Sequence, residues 1–149
     1  MEMAAGVGTG TAAGTAAGTA AWLTVLTTTD APEKAEALAR GAVEARAAAC
    51  AQITGPVTSV YRWKGAVETA SEWQVLFKTT GARYDALEAY LLAAHDYDTP
   101  EIIATPVVRG SADYLRWVEE ETVAEESMEA ESVAEESMEA ETVAEETAE

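Results

Sequence analysis

Val57-Thr-Ser-Val-Tyr-Arg-Trp-Lys-Gly-Ala-Val-Glu-Thr-Ala-Ser-Glu-Trp-Gln-Val-Leu-Phe-Lys-Thr-Thr80 is the stretch on which the fold turns. Val57, Ser59, Tyr61 and Trp63 alternate with Thr58, Val60 and Arg62, and further on Trp73, Val75, Phe77 and Thr79 lie opposite Glu72, Gln74, Leu76 and Lys78. A period of two sends alternate side chains to opposite faces of a strand, and β-branched and aromatic residues suit a pleated surface. With Lys64-Gly65 between the two runs, the pattern predicts a long antiparallel hairpin. Tyr61, Trp63 and Trp73 give that hairpin more aromatic surface than so small a domain need hide, which predicts an interface between copies of the chain. The other reading is that these rings cap the core of their own subunit.

Working outward, Trp22-Leu-Thr-Val-Leu-Thr-Thr28 predicts a strand. Asp30 is placed to cap the helix that follows, with Pro32 in its first turn and Glu33 three residues on, as in a capping box. Ala35, Leu38, Ala42, Ala45 and Ala49 share one helical face, so this helix is expected to run to about Ala49 and to be closed by Cys50 as a small buried group. Beyond the hairpin, Tyr84, Leu87, Leu91 and Ala94 mark a second amphipathic helix. His95-Asp-Tyr-Asp-Thr-Pro-Glu101 then leads to a strand over Ile102-Ile-Ala-Thr-Pro-Val-Val108 that Pro106 confines to an edge or a bulge. Ala112 to Glu121 reads as a short last helix, with Tyr114, Leu115, Trp117 and Val118 able to dock. The order βαββαβ plus a C-terminal helix is α+β, the ferredoxin-like pattern of an antiparallel sheet with helices on one face.

This domain, 22–121, is flanked by low-complexity sequence. Gly10-Thr-Ala-Ala13, Gly14-Thr-Ala-Ala17 and Gly18-Thr-Ala-Ala21 repeat a unit of small side chains that bury too little area to offset the entropy of ordering, so 1–21 is expected to be a disordered leader. In 122–149 the apolar residues Val123, Met128, Val133, Met138 and Val143 recur every five positions, a spacing that builds no continuous helical seam. Glu125 with Glu129, Glu131 with Glu135, and Glu141 with Glu145 set like charges at i,i+4, so this acidic tail is expected to be disordered or frayed helix at neutral pH.

The net charge of −18, with only nine Lys and Arg, argues against nucleic acid and against an anionic membrane surface as partners. Eleven of the negative charges are tail glutamates. Cys50 is the only cysteine, so no intramolecular disulfide can form, and no stretch has the length of a membrane span or the character of a secretory signal. A soluble, cytoplasmic protein is expected.

Six blocks in order, Ala48-Ala-Cys-Ala-Gln-Ile53, Val60-Tyr-Arg-Trp-Lys-Gly65, Lys78-Thr-Thr80, His95-Asp-Tyr-Asp-Thr-Pro-Glu-Ile102, Pro106-Val-Val108 and Tyr114-Leu-Arg-Trp117, resemble the CutA family of divalent-cation tolerance proteins. The resemblance covers the domain and neither flank. It implies a homotrimer in which long hairpin strands pair across subunits, with Tyr61, Trp63 and Trp73 at the interface. It also implies a role in divalent metal tolerance or response, with copper binding. The positions that hold copper in bacterial members correspond here to Thr27, Ala94 and His95, of which only His95 is a good ligand. Asp96 adds a neighbouring carboxylate, and Asp98 and Glu101 are further oxygen donors, so the candidate metal residues are His95 and Asp96. The alternative for His95 is a hydrogen-bonded structural histidine. No cofactor is required on this reading, and copper or another divalent metal is the candidate ligand.

A second functional class is a trimeric signalling or small-ligand-sensing module comparable to the PII-like proteins that share this topology. Its pocket would lie between subunits and be lined by Lys78, Tyr97 and Glu101. An enzyme is not expected, because the single His and single Cys are separated by helices and form no arguable catalytic pair.

Overall fold

The computed structural model describes residues 20–124 and 132–134. The expected disordered leader, apart from Ala20 and Ala21, and nearly all of the acidic tail lie outside those residues. The elements are β1 (Trp22–Thr29), α1 (Pro32–Glu44), β2 (Cys50–Trp63), β3 (Ala66–Thr80), a 3-10 turn at Gly81–Arg83, α2 (Tyr84–Ala94), β4 (Ile103–Pro106) and α3 (Ala112–Glu121). The four strands form one antiparallel sheet in the order β2-β3-β1-β4, the ferredoxin-like arrangement.

Helix α1 starts and stops differently from the sequence expectation. Ala31 occupies the N-cap without a side-chain bond, because the Asp30 carboxylate is taken by Lys34 at 2.7 Å; Pro32 does sit in the first turn. At the other end Arg46 adopts a left-handed φ of 55°. Its N–H reaches the Val43 carbonyl at 3.0 Å and the Ala47 N–H reaches the Ala42 carbonyl at 3.0 Å, the paired bonds of a Schellman turn. The helix therefore ends at Glu44, and Cys50 is the half-buried first residue of β2 instead of a helix terminus.

The hairpin of β2 and β3 is longer than the sequence suggested, beginning at Cys50. Its turn is Lys64-Gly65, both at positive φ (48° and 82°), as a two-residue turn matched to strand twist requires. Register is continuous from Cys50↔Lys78 to Thr54↔Gln74 and again from Val57↔Glu72 to Trp63↔Ala66. Between them Gly55 and Pro56 oppose the single residue Trp73, a β-bulge. Gly55 is required there, since a Cβ would come within 2.5 Å of the Trp73 ring.

Strand β1 pairs with β3 only as far as Thr29↔Trp73. From Glu72 to Ala66, β3 has β2 as its one strand partner among the described residues, so the hairpin leaves the sheet as a two-stranded arm. Strand β4 pairs with β1 over Ile103 to Pro106 and is shorter than the expected Ile102–Val108; the proline ends it, as an edge strand allows.

The core forms on the sheet face that carries Leu23, Val25, Val75 and Phe77, covered by Ala35, Leu38 and Ala42 of α1 and by Leu87 and Leu91 of α2. Small residues on α1 let that helix approach the strands closely. The register places Trp22, Leu76 and Cys50 on the opposite face, and α3 packs there. The Trp22 indole N–H donates to the Leu115 carbonyl at 3.0 Å, and Tyr114 Oη lies 3.6 Å from Cys50 Sγ. The last helix is thus not layered with the other two, and Val118, 2% exposed, is its most buried residue. Phe77 is fully buried at the centre of the sheet. Truncating it to Ala should cost roughly 3–5 kcal/mol, read as a lower urea midpoint at unchanged slope.

Candidate functional site

The segment between α2 and β4 fills the space that β1 vacates beside the arm. His95 ends α2 with its N–H on the Leu91 carbonyl at 2.9 Å, and its ring turns inward with a side chain that is 0% exposed. The Tyr97 backbone N–H donates to His95 Nδ1 at 3.0 Å. That bond uses the Nδ1 lone pair, so the ring proton sits on Nε2, which donates to the Thr28 carbonyl at 2.7 Å. His95 thereby pins the segment to the end of β1.

Tyr97 makes the second anchor. Its ring lies 4.6 Å from that of His95, centroid to centroid, and its hydroxyl donates to Glu72 Oε2 at 2.9 Å. Burial, reinforced by the bond to the Glu72 carboxylate, raises the Tyr97 hydroxyl well above the usual phenol range. Asp96 is the third anchor: Lys34 Nζ bridges it to Asp30 at the start of α1. That hydrogen bond holds the Asp96 carboxyl below the usual carboxylate range.

Between this segment and the arm lies an open cleft of about 800 Å³, the size of a small-molecule site. It brings together residues that the sequence assigned to three different roles. Asp96 came from the metal reading, Tyr97 and Glu101 from the pocket reading, and Tyr61 and Trp63 from the interface reading; all five line it. Lys78 does not. It lies six residues along β3 from Glu72, about 20 Å at strand rise, and donates to Gln52 at 2.7 Å. The expected pocket of Lys78, Tyr97 and Glu101 lies between subunits; within one subunit Lys78 stands apart from the other two. Trp73 also differs from Tyr61 and Trp63: it packs against the subunit's own core, whereas the other two are each 43% exposed.

The metal pair does not fit a preformed centre. Both His95 nitrogens are committed to backbone groups, one Asp96 oxygen is held by Lys34, and Thr27 is fully buried. Among the described residues no three His, Cys, Asp or Glu side chains converge as metal ligands. Cys50 touches Tyr114 at the far end of the sheet from His95, so the two do not meet. Sequence reasoning missed Glu72, Thr28 and Lys34. Glu72 occupies an ordinary alternating polar position in a strand, and only its contact with Tyr97 marks it.

The fold and cleft define a small ferredoxin-like domain with a projecting hairpin arm. The CutA1 divalent ion tolerance protein family matches residues 23–121, and the chain belongs to that family. It is 41% identical over 98 residues to the divalent-cation tolerance protein CutA of Thermus thermophilus, covering 66% of this chain and 95% of that one. It is 40% identical over 88 residues to protein CutA of Mus musculus, covering 59% of this chain and 50% of that one, so it spans about half the length of the mouse relative. Among solved structures, CutA1 of Oryza sativa superposes with a TM-score of 0.68 at 35% identity, covering 71% of this chain and 97% of that one. The Thermus thermophilus protein gives 0.67 at 39% identity, covering 68% and 99%.

Because Tyr97 ionises less readily when folded, folding favours its neutral form. Its contribution is intact below the unfolded value near 10 and is lost as pH climbs toward the folded value. Tyr84 and Tyr114, both pushed up to about 12, act in the same direction. The urea midpoint should therefore fall above pH 10, and Tyr97→Phe should make that fall shallower.

Proposed function

We propose that this protein works as a homotrimer in divalent metal tolerance or response, with the hairpin arm as the assembly device. The observation that carries the assembly is the arm itself. Beyond Trp73 its two strands have no third strand beside them among the described residues, yet they expose Val60 at 66%, Val67 at 63%, and Tyr61 and Trp63 at 43% each. Unpaired strand edges carrying large apolar side chains are pairing surfaces. Family membership supports the metal-tolerance part. A reducing cytoplasm suits the lone Cys50, although one relative in Arabidopsis thaliana is named chloroplastic and the Archaeoglobus fulgidus structure is named periplasmic. No helix among the described residues is long and apolar enough to cross a membrane.

Light scattering on the full chain is expected to give three times the chain mass, and Tyr61→Asp combined with Val67→Asp is expected to give a folded monomer. A monomeric parent protein would end the assembly reading.

Copper uptake through His95 would require the ring to surrender a backbone bond, so the structural role of His95 is the better-supported one. One equivalent of Cu(II) added to the full chain should show no imidazole-nitrogen splitting in its electron paramagnetic resonance spectrum. His95→Ala should lower stability by about 2 kcal/mol through two lost hydrogen bonds. Nitrogen splitting that disappears in the variant would restore the copper site.

A further inference from the structure

The arm leaves the body of the subunit through a weakly fixed joint. Where β1 stops, the bulge of Gly55 and Pro56 opposite Trp73 interrupts the ladder between β2 and β3, and a bulge bends and twists the strand that carries it. Beyond it the hairpin runs on as a two-stranded ribbon, which is marginal in stability alone and twists more than a wider sheet. Strand pairing therefore leaves the direction of the arm loosely specified.

One bond crosses this joint from outside the sheet. Glu72, paired with Val57, is the first arm residue of β3 past the bulge, and its Oε2 accepts the Tyr97 hydroxyl at 2.9 Å. Among the described residues this is the one side-chain hydrogen bond between the arm and the rest of the subunit; farther out, the open cleft separates the arm from the segment after α2. Glu72 is 8% exposed, so the bond is sheltered from water, and a bond to a carboxylate belongs to the stronger, charge-assisted class. The other end of this strut is fixed on two separate elements: His95 Nε2 holds the Thr28 carbonyl at the end of β1, and Lys34 holds Asp96 against the start of α1. We propose that Tyr97 is the positioning residue of the arm: its hydroxyl sets the angle at which the hairpin leaves the sheet and so presents Tyr61, Trp63 and Val67 to a second copy. The proposal rests on the assembly reading above and adds the contact that controls it. An arm already held in its bound direction loses less freedom when copies join.

Tyr97→Phe in the full chain keeps the ring beside His95 and removes only the hydroxyl. Light scattering over a dilution series is expected to show half-dissociation at about tenfold higher chain concentration than in the parent. Glu72→Gln, whose amide oxygen can still accept from Tyr97, should stay within about threefold of the parent. Tyr97→Phe combined with Glu72→Leu leaves no orphaned carboxylate, so in the monomeric Tyr61→Asp, Val67→Asp background it should regain the urea midpoint, while in the parent background its assembly stays weakened. Arm direction is read separately, from paired spin labels at Glu68→Cys on the arm and Arg40→Cys on α1, with Cys50→Ser, in the monomeric background. Their distance distribution should be narrow and should broaden in Tyr97→Phe. Labelled chains diluted among unlabelled ones give the same readout within the trimer, should that background fail to fold. The proposal is overturned by unchanged label distances, by unchanged assembly in Tyr97→Phe, or by assembly that recovers together with stability in the combined variant, which would leave Tyr97 a merely structural role. A monomeric parent ends the assembly reading instead, and the label distances then still decide whether Tyr97 aims the arm.

Discussion

The pairing of an eight-residue β1 with a fifteen-residue β3 is the constraint from which the rest of the molecule follows. Where the two strands overlap, both faces of the sheet are closed by helices. Where β1 stops, three things happen within a few residues: the arm loses its third strand, the chain after α2 moves into the vacated place, and a cleft opens between them. A β1 extended by several residues would compete with the His95 segment for β3 and would close the cleft. The arm and the cleft are both placed by where one ladder of hydrogen bonds ends.

Much of this was legible in the sequence because it rests on periodicity. The alternation across Val57–Thr80 and the apolar spacing of the two main helices leave one sensible topology, and six short blocks point to the family. The errors fall where a local signal meets a tertiary competitor. Asp30 is a good cap by type, but Lys34 takes its carboxylate. The alanine stripe continues to Ala49, yet Arg46 in a left-handed conformation stops the helix. No propensity rule would place an arginine there. The last helix was expected, but not its side of the sheet, which the strand parity of Trp22 and Cys50 decides.

The candidate site was less legible for a related reason. His95, Asp96, Tyr97 and Glu101 are close in sequence, but their placement depends on partners from three other elements. Thr28 on β1, Lys34 on α1 and Glu72 on β3 turn a suggestive ligand segment into a pinned wall. Both ring nitrogens of His95 bond backbone groups, a commitment that its position in an alignment does not reveal. Glu72 acquires its role only from its contact with the Tyr97 hydroxyl, which no one-dimensional reading registers.

The tight turn after α1 has a consequence for how such a domain can vary. It delivers the chain to Ala49, whose N–H meets the Lys78 carbonyl at 2.8 Å, and so decides which residue opens β2. Adding or removing one residue there would slide β2 by a single step along β3, and a one-step slide exchanges the two faces of a strand. Tyr61 and Trp63 would trade sides with Val60 and Arg62 nearly twenty residues away. Length changes in the 45–49 connection should therefore be far rarer among descendants of this sequence than substitutions in it.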